Sequence, residues 1–198
     1  MPLTLRFTKP RMNPARSLFQ SLDEMLAELE AYLLSPELYW PLGSRSHVIH
    51  RLTLGNLLLT FDQLYAQRDS FDLPDETQFR TLEIAWETAE VKWRSAVSKK
   101  GSLEIGSRLN LWKAYLMDLG EGQGASFDYR QEVRNRVIIE RLFDLGLNRE
   151  AWGTDLQSVD RTLRSLVVPH NFIWAKELEP HYPRDVYWYL YRTPRKQD

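Results

Sequence analysis

Apolar residues in this chain recur at alternating steps of three and four, the spacing that stacks side chains on one face of an α-helix. Leu18, Leu22, Met25, Leu29 and Tyr32 make one such stripe. Phe79, Leu82, Trp86, Ala89, Trp93 and Ala96 make a second, and Ile105, Leu109, Trp112, Leu116 and Leu119 a third. Strand-like alternation is confined to residues 186–191, with residues 4–8 as the only candidate partner. Stripes of this kind are buried against one another. The expected fold is therefore all-α: an antiparallel helical bundle of four to five main helices, with a short sixth helix and an aromatic C-terminal segment.

Local signals set the expected boundaries. Ser17 with Gln20 and Ser21 with Glu24 have capping-box spacing ahead of the first stripe, and Ser35-Pro36 ends it. A second helix is expected from Ser44 or Ser46 to about Gln67, with His47, His50, Leu54, Leu57, Phe61 and Leu64 on one face. Gly55 lies on a neighbouring face, where a missing side chain favours close helix–helix approach. Asp72 and Pro74 open a third helix, which Lys99, Lys100 and Gly101 are expected to close. The fourth stops at the glycines of residues 120–124. The fifth covers residues 129–145, with Val133, Val137, Ile138, Leu142 and Phe143 inward and Gly146 as its cap. Thr154 and Gln157 open a sixth that closes near Val168. For residues 186–191, Pro183-Arg184-Asp185 is a good helix opening, so a short helix is expected there.

At 198 residues the chain is expected to form one domain. Residues 1–16 would be a basic arm, 17–168 the bundle, and 169–198 an aromatic, basic-ended C-terminal segment. There are no cysteines, which excludes disulfides, thiolate metal sites and cysteine nucleophiles. The 26 basic and 27 acidic residues nearly cancel, against a protein wrapped wholesale in nucleic acid. The uncharged run of residues 52–61 is far short of the roughly 20 apolar residues of a membrane helix. The acid-poor start carries Arg6, Lys9, Arg11 and Arg16, lacks an apolar h-region, and is interrupted by Pro2, Pro10 and Pro14. A cytoplasmic address and no membrane association are expected.

Several residue sets bear on chemistry. His47 and His50 share a helix face at a spacing of three, and a carboxylate from another helix would complete a metal site. The alternative is a pair of partly buried histidines held by hydrogen bonds. The glycines of residues 120–124 follow a helix and lack the Gly-Lys-Ser/Thr ending of a phosphate loop, so they read as a connection. Glu83, Glu87 and Glu90 share a face of the third helix, more in keeping with a solvated surface than with acid–base catalysis. No Gly-x-Ser-x-Gly occurs. In the tail, Tyr187, Trp188, Tyr189 and Tyr191 stand beside Arg192, Arg195 and Lys196. These are ingredients of single-strand nucleic-acid binding, of a protein interface, or of a docked C-terminal segment.

Two resemblances accompany these residues. An early histidine on a helical bundle is similar to the DinB-type metal-binding bundles, which would imply a metal at His47 and His50. The later His-x-x-x-His pair of those bundles is missing, since residues 130–137 contain no histidine. The runs Arg51-Leu-Thr-Leu-Gly-Asn-Leu-Leu-Leu59, Ser107-Arg-Leu-Asn-Leu-Trp112 and Glu132-Val-Arg134 resemble uncharacterised bacterial helical proteins of the Chloroflexi type. That likeness covers about residues 45–145; it implies a bacterial origin and carries no function. Arg108 and Asn110 are expected to be a buried polar pair tying two helices. The functional expectation is a non-catalytic interaction or scaffold protein with no cofactor, acting on a protein partner or on a second copy. Metal or small-ligand binding at His47 and His50, with enzymatic activity as a further option, and nucleic-acid binding through the tail are the alternatives.

Overall fold

A computed structural model describes residues 14–43, 51–122 and 128–195. Seven α-helices account for most of them: α1 (Pro14–Ala27), α2 (Leu29–Leu34), α3 (Leu54–Tyr65), α4 (Leu73–Lys92), α5 (Arg94–Gly120), α6 (Tyr129–Phe143) and α7 (Gly153–Leu166). Two short antiparallel pairs join them: β1 (Trp40–Pro41) with β2 (Arg51–Leu52), and β3 (Val167–Pro169) with β4 (Arg192–Pro194). The class is all-α, as the apolar periodicity predicts.

The stripes face inward. Leu18, Leu22, Met25, Leu29 and Tyr32 are all buried, and so are Ile105, Leu109, Trp112, Leu116 and Leu119. α1 begins at Pro14, so the two serine capping boxes fall inside it. There Ser21 Oγ donates to the Ser17 carbonyl (2.9 Å) rather than capping a free end. Ser35 closes α2, its backbone N–H reaching the Ala31 and Tyr32 carbonyls.

α3 starts later than its stripe suggests. Arg51–Leu52 is a strand, and Thr53 is extended (φ −141°, ψ 161°) with its hydroxyl accepting the Asn56 N–H. Thr53 is the N-cap of α3, so the helical run does not continue back through Arg51. Gly55 sits where α3 meets its neighbours. A Cβ there would overlap Ile138 Cγ2 of α6 and lie 2.7 Å from Glu104 Oε1 of α5.

The expected long third helix is divided differently. Asp72 caps α4 by accepting the Asp75 N–H (2.8 Å). The chain leaves helical geometry at Trp93 (φ −112°, ψ 24°) and re-enters it in α5, which runs straight through Gly101. Gly101 serves packing rather than termination: a Cβ would stand 2.7 Å from Leu147 Cδ1. Lys100 is buried, with its ammonium on the Glu37 carbonyl and 4.4 Å from the Tyr32 ring centre. It neutralises the carbonyl-rich end of α2 rather than that of α4.

Contacts give the helix directions. α5 and α6 run antiparallel, with Gly101 near Leu147, Arg108 near Asn135 and Tyr115 near Tyr129. α5 and α7 run parallel, with Gly106 near Trp152, Lys113 on Asp155 and Gly120 near Leu166. α3 also runs parallel to α6, Asn56 meeting Arg134 and Asp62 meeting Arg141. After α7 the chain forms β3, crosses α6 and α3 through a 3-10 turn at Lys176–His181, and makes a second at Trp188–Tyr191. It then returns as β4 beside β3. The tail is thus a 3-10 turn followed by a strand, and β3 is the partner that the sequence reading lacked. Residues 4–8 lie outside the described residues.

Two glycines should respond oppositely to alanine. Gly55→Ala is expected to destabilise by about 3 kcal/mol, because overlap with Ile138 and Glu104 outweighs the better helix propensity. Gly153→Ala, with nothing within 4 Å of the new methyl, is expected to be neutral or to stabilise by up to about 1 kcal/mol. Urea unfolding of both variants measures the contrast.

Candidate functional site

The aromatic tail forms a lid. Tyr187, Tyr189 and Tyr191 are buried, as is Tyr182. Tyr182 donates to Asp62 (2.8 Å), Tyr191 to the Tyr182 carbonyl (3.0 Å), and the Tyr129 hydroxyl to the Tyr189 carbonyl (2.7 Å). Trp188 is half-buried beneath Arg164, whose guanidinium carbon is 3.8 Å from the ring centre. Of the tail residues suited to base stacking, to a protein interface or to a docked segment, Tyr187, Tyr189 and Tyr191 pack into the core. Arg192 is half-buried in β4 and Arg195 is exposed; Lys196 lies outside the described residues.

His47 and His50 also lie outside the described residues. Among the described residues no group of three or more histidines and carboxylates could hold a metal ion. No described helix is long and apolar enough to cross a membrane. Asn110, expected to be buried with Arg108, is exposed.

Arg108 is buried and is tied instead to Glu104 (3.0 and 3.1 Å), Asn135 (3.2 Å) and Thr53 (3.4 Å). The other Glu104 oxygen accepts the Gly55 N–H at 3.0 Å. Two further charge clusters line α6. Arg136 forks onto Asp160 (3.0 and 3.1 Å) and also meets Glu140, which in turn accepts from Arg149. Arg141 forks onto Asp62 (2.9 and 3.0 Å), the carboxylate that also receives Tyr182. Burial alone would raise the Glu140 carboxyl, but Arg149 and Arg136 outweigh it and hold the group below the usual carboxylate value. α6 carries four arginines in 15 residues, but the distant acids that receive two of them gave no local signal.

Of Glu83, Glu87 and Glu90 on α4, Glu83 is buried and accepts from Tyr65 and Arg80, Glu87 is exposed and Glu90 is half-buried. Burial, followed by the Glu83 carboxylate, pushes the Tyr65 phenol up to about 12. A phenol raised in this way holds its proton more firmly, the opposite of an activated base.

The surface feature that stands apart is a groove of ≈ 590 Å³ where α2 meets the α4–α5 break. Its apolar walls are Leu33, Leu34, Trp93, Ala96 and Leu103, and Leu34 and Leu103 keep 61% and 52% of their surface exposed. Trp93, the residue that leaves helical geometry between α4 and α5, lines the groove together with Leu33 and Leu34 of α2. Lys92 and Lys99 stand on the rim and no carboxylate lines it. The Lys92 ammonium lies 4.8 Å from the Trp93 ring centre and pairs with Glu30 at 3.3 Å, an exposed bridge worth little. Lys100 fixes the floor by holding the Glu37 carbonyl. The arrangement suits an apolar segment with acidic flanks. Comparison of the chain with family models, curated proteins and solved structures returned no match.

Two outcomes follow from the lid and its charges. Burial raises the phenols of Tyr129, Tyr182, Tyr187 and Tyr189 above their ordinary value. In the unfolded chain they ionise near pH 10, so above about pH 10 the unfolded state binds fewer protons and stability falls as pH rises. Urea melts through the alkaline range, followed alongside tyrosinate absorbance, should show that loss, with phenol ionisation tracking unfolding. Asp62→Ala leaves Tyr182 without its acceptor and Arg141 with only the exposed Asp144, and is expected to cost about 3 kcal/mol. Asp62→Ala combined with Arg141→Met should cost clearly less than the two singles added, as a double-mutant cycle by denaturation reads out.

Proposed function

We propose that this protein is a non-catalytic helical interaction module whose docking surface is the groove between α2 and the α4–α5 break. Its occupant is an acid-flanked apolar helix of a protein partner. The reading is carried by one observation: Leu34 and Leu103 are more than half exposed on the walls of a concave apolar groove whose rim charges, Lys92 and Lys99, are both positive. Isolated exposed leucines are ordinary, but two that flank a half-buried Trp93 in a concavity form a contiguous patch of the kind that partners cover. Positive charge at the rim selects an acidic partner and speeds its approach.

A fluorescent helical peptide with leucines at i, i+4 and i+7 and glutamates on its flanks is the probe. Anisotropy should report binding to the wild-type protein that weakens at least about tenfold, about 1.4 kcal/mol, in Leu103→Glu and in Lys99→Glu. The same peptide with lysine flanks should not bind. Equal binding of both peptides, or binding indifferent to Leu103→Glu, overturns the assignment. Light scattering on the same variants separates self-association: a wild-type oligomer dissolved by Leu103→Glu would give the groove to a second copy instead.

A further inference from the structure

Four arginines project from α6, and three are accounted for by their surroundings. Arg136 and Arg141 meet carboxylates, and Arg130 is exposed to water. Arg134 differs. It is half-buried, and among the described residues no carboxylate pairs with it. Its guanidinium donates to Asn56 Oδ1 (3.1 Å), one bond for a group with five donors. Burial, then the nearby Arg108 charge, depresses the guanidinium below its usual value. A half-buried cation held beside another cation is costly unless an anion joins it.

Arg134 opens into a cleft of ≈ 460 Å³ between α3, α6 and the C-terminal segment, within the usual size of small-molecule sites. No carboxylate lines the cleft. Arg130 precedes Arg134 by four residues and so shares its helix face, while Gln63 and Gln131 add amides. The opposite wall is aromatic and its polar atoms are already used. The Trp174 indole N–H donates to the Arg130 carbonyl (2.9 Å), and the Tyr182 hydroxyl is committed to Asp62. Trp174 and Tyr182 pack edge to face, with ring centres 5.4 Å apart, which holds the wall in place.

We infer that this cleft binds a small planar organic anion: its carboxylate or phosphate lies on Arg134 and Arg130, and its flat apolar body lies against Trp174. A guanidinium fork with open donors matches either acid group bidentately, and a fixed indole supplies the flat surface that a planar body covers. The cleft shares no lining residue with the α2 groove and the inference does not depend on that groove.

The test uses the full chain with benzoate, phenyl phosphate, inorganic phosphate and neutral benzamide as probes. It is read by thermal shift and by the Trp174 indole N–H signal, assigned through Trp174→Phe. Benzoate or phenyl phosphate should raise Tm and move that signal, and the stronger of the two identifies the acid group. Benzamide should do neither, and Arg134→Gln should weaken binding at least tenfold. Without any anion, Arg134→Met should keep Tm at or above the wild-type value, whereas Arg141→Met lowers it. Three results overturn the inference: no organic anion moves the Trp174 signal, inorganic phosphate binds as tightly as phenyl phosphate, or Arg134→Met lowers Tm as far as Arg141→Met. Arg134→Lys, which keeps the charge and loses the fork, should bind more weakly than wild type while remaining folded.

Discussion

The Glu104 carboxylate, fully removed from solvent, holds the centre of this bundle together. It accepts the Gly55 N–H at the start of α3 and two bonds from Arg108 on its own helix. An anion at a helix start meets unpaired N–H groups and the positive end of the dipole, so the buried charge is compensated from both sides. The geometry requires α3 to come so near α5 and α6 that residue 55 has no side chain. Thr53 then caps α3 and also receives Arg108, which fixes where the helix can begin. α3, α5 and α6 therefore register against one another through a single carboxylate.

From that centre the charges of α6 radiate outward, and each cluster recruits a different part of the chain. Arg136 reaches Asp160 on α7, and Arg141 reaches Asp62 on α3. Asp62 also receives Tyr182, which anchors the C-terminal lid over the same helix. Removing one member of such a buried pair costs more than the pair contributes as a whole, because the stranded charge has nowhere to go. These clusters favour one arrangement of the lid over slipped alternatives. Arg134 breaks the pattern: it faces a cleft instead of an acid, which is why it bears on ligand binding while its neighbours bear on folding.

Much of this was readable in advance. The stripes through Met25, Phe79, Trp112 and Val137 were assigned to the core from spacing alone, and all four residues are buried. Gly55 was read as a close-approach residue, and it is one. A glycine after Lys99 and Lys100 signals a helix end as readily as a close approach, and only the position of Leu147 distinguishes the two. The break at Trp93 left no mark in the sequence, since the apolar rhythm runs through it unbroken; yet the groove lies at that break. The tail was ambiguous for a similar reason. Alternation favoured a strand and Pro183 a helix, and the pairing of β3 with β4 placed a three-residue strand directly after the alternating run.

The sequence by itself determined that this chain is helical and which face of each helix is apolar, because periodicity is a local property that each segment carries within itself. It also located the aromatic excess in the tail. The tertiary structure alone decided that those rings close over the bundle and which charged groups find partners. Asp62 and Tyr182 are 120 positions apart, and Arg136 and Asp160 are 24 apart. Ion pairing depends on distance in space and on exclusion of water, and neither exists until the helices have packed. The same packing leaves Arg134, among the described residues, without an acid at its side.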